Sequence, residues 1–267
     1  MPSIKASLPG VPFKLPAVSA QKRQRAAELF ALLNKHYGHA RCELEYQSPH
    51  ELLVATILSA QATDVSVNKA TPALFKAFPT PSHYAAASPD AIEPFIKTIG
   101  LFRNKAKSVF EAMREVHTRF GGQVPRSMDE LLTLRGVARK TANVVLGNCF
   151  DTNVGFVDTH ILRLSLRLGL VSEGAPVAKA ERYLMACFAD YQSQWCRISH
   201  MLIFHGRYAC KARGVPCQVH EICACLGSNC ELRISAGKAI RRTKAAKRAK
   251  PAAQATKSAA RPSKKRD

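Results

Sequence analysis

Apolar residues recur every three or four positions through most of the middle of this chain, which is the spacing of amphipathic helices. The pattern is clear over residues 24–37, over residues 104–119 and again at Ile161, Leu164 and Leu168. A single strand-like piece covers residues 154–157, which is too short to found a sheet. The sequence therefore predicts an all-α fold.

Short polar signals mark where the predicted helices begin and end. Residues 48–51 (SPHE) and 127–130 (SMDE) are capping boxes, in which serine and glutamate satisfy the first N–H groups of a helix. A Ser-Pro pair at residues 88–89 predicts a third helix start. Glycines at the ends of the periodic runs predict helix ends at Gly100, Gly121-Gly122 and Gly169.

The same signals divide the chain into two helical domains between two disordered ends. The N-terminal segment is rich in proline and the C-terminal segment in Lys, Arg, Ala, Pro and Ser, so neither is expected to form a core. The predicted parts are a leader over 1–22, a terminal helical domain over 23–48 plus 153–231, a helical bundle over 49–152, and a basic tail over 232–267.

Charge indicates a polyanionic partner. The chain has 40 Lys and Arg against 19 Asp and Glu, a net charge of +21. Residues 238–267 hold twelve of these cations and one acid, or +11, so the remaining +10 belongs to the rest of the chain. A basic body together with a basic tail favours DNA as the partner. The sequence contains neither a long apolar run nor a signal-peptide pattern, which predicts an intracellular protein with no membrane contact.

A glycine turn between two short predicted helices is the first candidate for chemistry. Residues 127–148 form this hairpin, and Lys140 lies in the first turn of its second helix. The positive end of the helix dipole, partial burial and the neighbouring Arg139 all favour the neutral, nucleophilic amine. Asp158 follows and could stabilise positive charge on a sugar carbon. The plain alternatives are a tight interhelical loop, a solvated lysine and an aspartate that only caps a helix.

Five segments carry a resemblance to the endonuclease III family of DNA glycosylases with a helix-hairpin-helix motif. They occur in order along most of the chain: 58–68 (LSAQATDVSVN), 96–101 (IKTIGL), 134–143 (LRGVARKTAN), 157–160 (VDTH) and 205–208 (HGRY). The resemblance implies a bifunctional DNA glycosylase and AP lyase of base excision repair. Its fold would be two helical domains with the DNA site in the cleft between them.

The resemblance also implies roles for individual residues. Lys140 would be the catalytic nucleophile and Asp158 its carboxylate partner. Gln61 would enter the duplex where the damaged base leaves, and Leu101 would wedge the opposite strand. The remaining DNA contacts are expected at Arg135, Gly136, Val137, Ala138, Arg139, Lys211 and Arg213. The expected substrates are oxidised pyrimidines and abasic sites in double-stranded DNA, bound by a monomer.

The hairpin departs from the family turn, which commonly reads Leu-Pro-Gly-Val-Gly. Arg135 replaces the proline and could contact a phosphate. Ala138 replaces the second glycine and could tilt the hairpin if that position needs a positive φ.

The third informative feature is a group of five cysteines between residues 210 and 230. The resemblance implies a [4Fe-4S] cluster on a C-x6-C-x2-C-x5-C pattern. Here Cys210 and Cys217 keep the first interval, while His220 and Leu226 occupy the third and fourth positions. The expected ligands are Cys210, Cys217, Cys223 and Cys230, with Cys225 or His220 as alternatives. A zinc site and a decayed site of unligated thiols remain open.

Two other functions remain open on sequence alone. An adenine-mismatch glycosylase has the same scaffold, but such enzymes generally lack the lysine and carry a glutamate in the segment that aligns with residues 55–64, which contains none here. A non-catalytic DNA-binding module would use the hairpin and the tail only as anchors.

Overall fold

A computed structural model describes residues 14–172, 177–213 and 220–227 of the chain. Within these residues the secondary structure is helical without a strand, which confirms the all-α prediction, and residues 154–157 form an extended connection. None of the helices in this part of the chain is long and apolar enough to span a bilayer.

The described residues form twelve α-helices. Their bounds are α1 Ala20–Tyr37, α2 Pro49–Leu58, α3 Asp64–Ala77, α4 Pro81–Ala85, α5 Pro89–Ile96, α6 Phe102–Phe120, α7 Met128–Thr133, α8 Arg139–Cys149, α9 Thr159–Arg167, α10 Val177–Cys187, α11 Trp195–Phe204 and α12 Glu221–Leu226. A 3₁₀ turn over Ala189–Gln194 leads into α11, and a π-helical turn over His205–Ala209 continues from it.

The serine cap of each predicted capping box is confirmed, whereas the glutamate of each box bonds to a group other than the N–H of its serine. The Ser48 hydroxyl accepts the Glu51 N–H at 3.4 Å, and the Glu51 carboxylate accepts the N–H of Gln47 at 2.6 Å. The Ser127 hydroxyl accepts the Glu130 N–H at 3.3 Å. These bonds satisfy N–H groups that have no partner inside the helix, so α2 and α7 begin where the sequence predicts.

The predicted leader ends too late. Helix α1 begins at Ala20 because the Ser19 hydroxyl caps it, accepting the Lys22 N–H at 3.3 Å. Residues 20–22 are therefore helical. Residues 1–13 of the leader and the whole tail over 232–267 lie outside the described residues.

Gly100 is not the end of the helix that starts at the Ser88-Pro89 pair. Helix α5 ends at Ile96, with Lys97 as its C-cap in a right-handed conformation. The left-handed residue in this connection is Leu101, with φ of +61°, directly before α6. At the other end of α6 the prediction is confirmed, because Gly121 caps the helix at φ of +59°.

The helices pack in two groups that meet at α8. Helices α2 to α8 pack among themselves, with α2 against α3, α6 and α8, and with α4 and α5 against α6. Helix α1 packs against α10, α11 and α12, and α9 packs against α10 and α11. Helix α8 also contacts α11, so it lies against both groups. The division into domains at residues 49 and 152 stays a prediction.

Candidate active site and cysteine-rich end

The turn of the hairpin requires a glycine for two reasons. Gly136 has φ of +77°, which side chains rarely adopt. A Cβ atom at this position would lie 2.9 Å from Cβ of Ser108 in α6 and 3.4 Å from Cγ2 of Ile57 in α2. The turn is therefore pressed against α2 and α6, which fixes the direction in which α8 leaves it.

The second departure from the family turn does not disturb the hairpin. Ala138 has φ of −95° and ψ of 168°, an extended conformation that any residue adopts. A positive φ is not needed there, so alanine replaces glycine without strain. Ala138 gives α8 no side-chain capping bond. The N–H groups of the first turn of α8 can therefore donate hydrogen bonds to a phosphate oxygen.

Both arginines of the hairpin are held by carboxylates. Arg135 donates to Oε2 of Glu111 at 2.9 Å and remains about half exposed. Arg139 donates through Nε to Oε1 of Glu181 at 2.8 Å, and Asn143 donates to the other oxygen at 3.2 Å. Glu181 is 5% exposed, so this contact ties α8 to α10. DNA contacts by the two arginines stay predictions, and the partner Glu181 was not anticipated.

Lys140 is exposed, whereas the sequence argument expected partial burial. It lines a small polar cavity together with Ser59, Asp64, His200 and Arg207. Arg207 donates through Nη1 to Oδ2 of Asp64 at 2.8 Å and also pairs with Glu43. Lys140 therefore lies at a cavity whose wall contains the ion pair between Arg207 and Asp64.

His200 lies under this cavity and is neutral at physiological pH. Burial, with the nearby cations Arg207 and Lys140, lowers its pKa to about 4. Its Nε2 lies 3.0 Å from Oδ1 of Asn148, and its ring meets Phe156 edge-on at 5.1 Å.

Asp158 is the N-cap of α9, as expected for an aspartate directly before a helix. Its Oδ1 accepts the Ile161 N–H at 2.8 Å, and the residue is half-buried. A capped carboxylate has a fixed orientation, and the cap engages only one of its two oxygens. The catalytic roles of Asp158 and Lys140 stay predictions.

Gln61 and Leu101 share an unusual backbone. Among the described residues, three non-glycine residues have a positive φ, namely Gln61 at 56°, Leu101 at 61° and Asp151 at 47°. Asp151 lies just after the end of α8, where such a conformation is common. Gln61 and Leu101 lie in the connections before α3 and α6, and the Leu101 side chain is 61% exposed. Strain of this kind is typical of functional positions.

At the cysteine-rich end, three buried side chains converge. The ligand atoms of His205, Cys210 and Cys223 all lie within 4.8 Å of one another, so they could hold a metal ion. Two predicted ligands, Cys217 and Cys230, lie outside the described residues.

The two alternative ligands do not belong to this group in the described part of the chain. Cys225 is exposed on α12. Both ring nitrogens of His220 are engaged, Nε2 by the Tyr37 hydroxyl at 3.1 Å and Nδ1 by the Ile222 N–H at 3.3 Å. Lys211 and Arg213 are exposed just after Cys210, and their DNA contacts stay predictions.

Comparison with known proteins agrees with this geometry. Residues 54–189 match the HhH-GPD superfamily of base excision DNA repair proteins. The chain is 49% identical to endonuclease III of Synechocystis sp. over 208 residues, which cover 76% of this chain and 94% of that protein. Two solved structures resemble this chain at 38% identity and a TM-score of 0.74. The first is a non-covalent endonuclease III–DNA complex, and the match covers 80% of this chain and 98% of that one. The second is a trapped covalent endonuclease III–DNA intermediate, and the match covers 79% of this chain and 98% of that one. The chain belongs to the endonuclease III family of base excision repair enzymes, the DNA glycosylase/AP lyases.

Proposed function

We propose that this chain excises oxidised or ring-saturated pyrimidines from duplex DNA and cuts the strand at the resulting abasic site, with Lys140 as the nucleophile. The observation that carries the proposal is the exposed amine of Lys140 on the first turn of α8, at the wall of a polar cavity. An amine becomes a nucleophile once it has lost its proton.

The proposed reaction has three bond-breaking steps. The lone pair of Lys140 Nζ forms a bond to C1′ as the bond from C1′ to the base breaks, and the base leaves with those electrons and takes up a proton. The nitrogen then gives up a proton, and its lone pair forms the C=N bond as the C1′–O4′ bond breaks and O4′ takes up a proton, which leaves a Schiff base between Nζ and C1′. Loss of a proton from C2′ then expels the 3′ phosphate by β-elimination, which nicks the strand.

Asp158 is proposed to stabilise the positive charge that develops on the sugar as the base departs. Its cap to the Ile161 N–H holds the carboxylate in place before the substrate arrives. It can also accept a proton from the attacking amine.

The base must leave the duplex before the amine can reach C1′. Gln61 and Leu101 support this step, because both lie in short connections with strained backbones and Leu101 presents an exposed apolar side chain. The Gly136 turn and the N-terminus of α8 would hold a phosphate of the same strand. The related endonuclease III–DNA complexes support double-stranded DNA as the partner. The monomeric state and the intracellular location stay predictions.

The [4Fe-4S] cluster that the resemblance implies would be held by Cys210, Cys217, Cys223 and Cys230. Cys210 and Cys223 are buried and form, with His205, a group whose ligand atoms lie within 4.8 Å of one another. Cys217 and Cys230 lie outside the described residues. The third and fourth positions of the family spacing are held by His220 and by buried Leu226. The cluster would be structural, and no bond-breaking step passes through it.

Lys140→Gln tests the proposal. Single-turnover assays on duplex DNA with a dihydropyrimidine lesion or a preformed abasic site should show strand cutting reduced by roughly 10³-fold or more, because the nucleophile is lost. Lys69→Gln, a change at an exposed lysine of α3, is the matched control and should cut normally.

DNA binding must be measured on the same variants. If Lys140→Gln binds abasic DNA as wild type does and still cuts it at the wild-type rate, the assignment is wrong. If the wild type binds but neither variant nor wild type cuts, the chain is the non-catalytic module.

A further inference from the structure

We propose that the exposed ring of Tyr208 is the surface on which the extruded pyrimidine stacks before its bond to the sugar breaks. Tyr208 would then favour planar, oxidised bases over ring-saturated ones. The proposal rests on the proposed function, since it concerns the base that leaves the duplex while Lys140 attacks C1′.

Tyr208 exposes its ring, unlike the other aromatic residues that the structure describes. Its relative exposure is 60%, whereas each Phe, Trp and other Tyr within residues 14–172, 177–213 and 220–227 is buried or partly buried. Tyrosine offers a large flat contact area with two side-chain torsions to fix. A single exposed tyrosine is ordinary at a protein surface, so the way this ring is fixed and its position decide what it does.

Two contacts fix the Tyr208 ring. Its hydroxyl donates to Oε1 of Glu43, and its ring meets that of Phe204 edge-on, with centroids 5.5 Å apart. The hydrogen bond to Glu43 raises the pKa of the Tyr208 hydroxyl, so the ring carries no charge at physiological pH. Because the ring is fixed before a base arrives, stacking on it loses little conformational entropy.

The carboxylate that accepts the Tyr208 hydroxyl is itself held in place. Oε2 of Glu43 pairs with Nη1 of Arg207, and the same nitrogen lies 2.8 Å from Oδ2 of Asp64 at the start of α3. Glu43 belongs to the connection between α1 and α2, and Tyr208 to the π-helical turn after α11. Three separate parts of the chain therefore determine the orientation of this ring.

The Tyr208 ring stands at the edge of the Lys140 cavity. Glu43 and Phe204, the two residues that fix the ring, both line that cavity together with Lys140. A base that has left the duplex while its C1′ faces Lys140 must lie beside the same cavity. Enzymes that extrude a base commonly hold it by stacking it on aromatic and apolar side chains. The position of Tyr208 fits that role.

Stacking distinguishes the two classes of damaged pyrimidine. A 5-hydroxypyrimidine keeps its conjugated, planar ring, whereas a 5,6-dihydropyrimidine has two tetrahedral carbons and a puckered ring. Contact between π faces therefore favours the planar base. Stacking of one base on an aromatic side chain is worth a factor of roughly 5 to 150.

Tyr208→Leu tests the proposal on three duplexes, which carry 5-hydroxyuracil, dihydrouracil or a preformed abasic site. Base release from each lesion, measured in single turnover below saturation, is divided by the rate of cutting at the abasic site, which presents no base to the ring. The variant should lower this ratio roughly 10-fold for 5-hydroxyuracil and clearly less for dihydrouracil. Tyr183→Leu, the same change at a half-buried tyrosine of α10, should keep both ratios.

The conservative variant Tyr208→Phe keeps the ring and should retain more of the 5-hydroxyuracil ratio than Tyr208→Leu. Equal ratios in wild type and Tyr208→Leu would overturn the stacking role. An equal loss of rate on all three duplexes would also overturn it, because a structural role or a contact with the DNA backbone has that result. A wild type that binds all three duplexes and cuts none would instead overturn the proposed function itself.

Discussion

The hairpin end and the cysteine-rich end both depart from the endonuclease III pattern, with different consequences. At the hairpin, Arg135 and Ala138 replace a proline and a glycine, yet Gly136 keeps its positive φ and its contact with Ser108. At the cysteine-rich end, His220 and Leu226 stand at two positions where the family pattern has cysteine. A substitution in a turn is tolerated when the backbone conformation does not depend on the original side chain. A ligand atom belongs to the side chain itself, so a substitution at a ligand position removes it.

The substituted side chains at the cysteine-rich end have taken structural roles. His220 caps α12 and bonds to Tyr37, and Leu226 is 5% exposed in the core. The potential donors that converge among the described residues are Cys210, Cys223 and His205, which lies five residues before Cys210. The hairpin thus has the backbone that its glycine requires, whereas the cysteine spacing differs from the family pattern.

The largest effect that we predict at the Lys140 cavity is on acid stability, through the buried His200 of α11. His200 binds a proton in the unfolded chain below its ordinary pKa of 6.5 but in the folded chain only near pH 4. The unfolded state therefore binds more protons in this window, so the free energy of unfolding falls as the pH drops from about 6.5 to about 4. The loss attributable to His200 is roughly 3 kcal/mol.

Urea unfolding at about pH 7 and about pH 4.5, for wild type and His200→Gln, measures this effect. The variant should lose less stability between the two pH values, whatever its stability at neutral pH. Equal losses of unfolding free energy in wild type and His200→Gln would show that the cavity wall beside Lys140 does not cause the acid sensitivity of the fold.

Gly136→Ala sharpens the comparison at the turn. The left-handed φ and the close approach of the new Cβ atom to Ser108 should together lower the free energy of unfolding by roughly 2–3 kcal/mol. Gly121→Ala is the matched control, because Gly121 also has a positive φ but a Cβ there would meet nothing within 4 Å. It should cost about 1 kcal/mol. Equal costs, measured by urea unfolding, would mean that packing against α6 does not hold the hairpin.

Leu101→Gly separates strain from function. The change relieves a left-handed leucine, offset by the entropy of glycine, so the free energy of unfolding should stay equal or rise by up to about 1 kcal/mol. Excision from duplex DNA should slow because the exposed wedge is lost. A clear drop in stability, or unchanged excision, would remove Leu101 from the DNA site.

Deletion of residues 238–267 should have the smallest effect on the folded protein. The twelve cations of this segment should strengthen non-specific DNA binding, since each neutralised phosphate contributes about −0.9 to the slope of log affinity against log salt. We expect a flatter slope with unchanged stability and single-turnover rate. An unchanged slope would show that the tail does not contact DNA.

Much of the fold could be predicted because its signals are local. Ser48, Ser127 and Asp158 cap helices where the sequence indicates, since a cap depends on residues within one turn. The left-handed Leu101 could not be predicted in the same way, because leucine carries no local preference for that conformation. Only the resemblance singled it out.

The site residues that the sequence did not predict depend on contacts between positions far apart in the chain. Glu181 meets Arg139 across 42 residues, and no spacing rule connects them. His205 lies in an apolar helical run, where a histidine is ordinarily a core residue. Its place in the HGRY segment, five residues before Cys210, was the available signal in the sequence, and this signal becomes informative only when α1 and α12 pack around it.

Borohydride trapping on abasic duplex DNA, followed by peptide mapping of the adduct, tests the central claim most directly. The account predicts a reduced deoxyribose adduct on the peptide that contains Lys140, present in wild type and in Lys69→Gln, and absent from Lys140→Gln. An adduct on a different lysine, or equal trapping of Lys140→Gln, would contradict it.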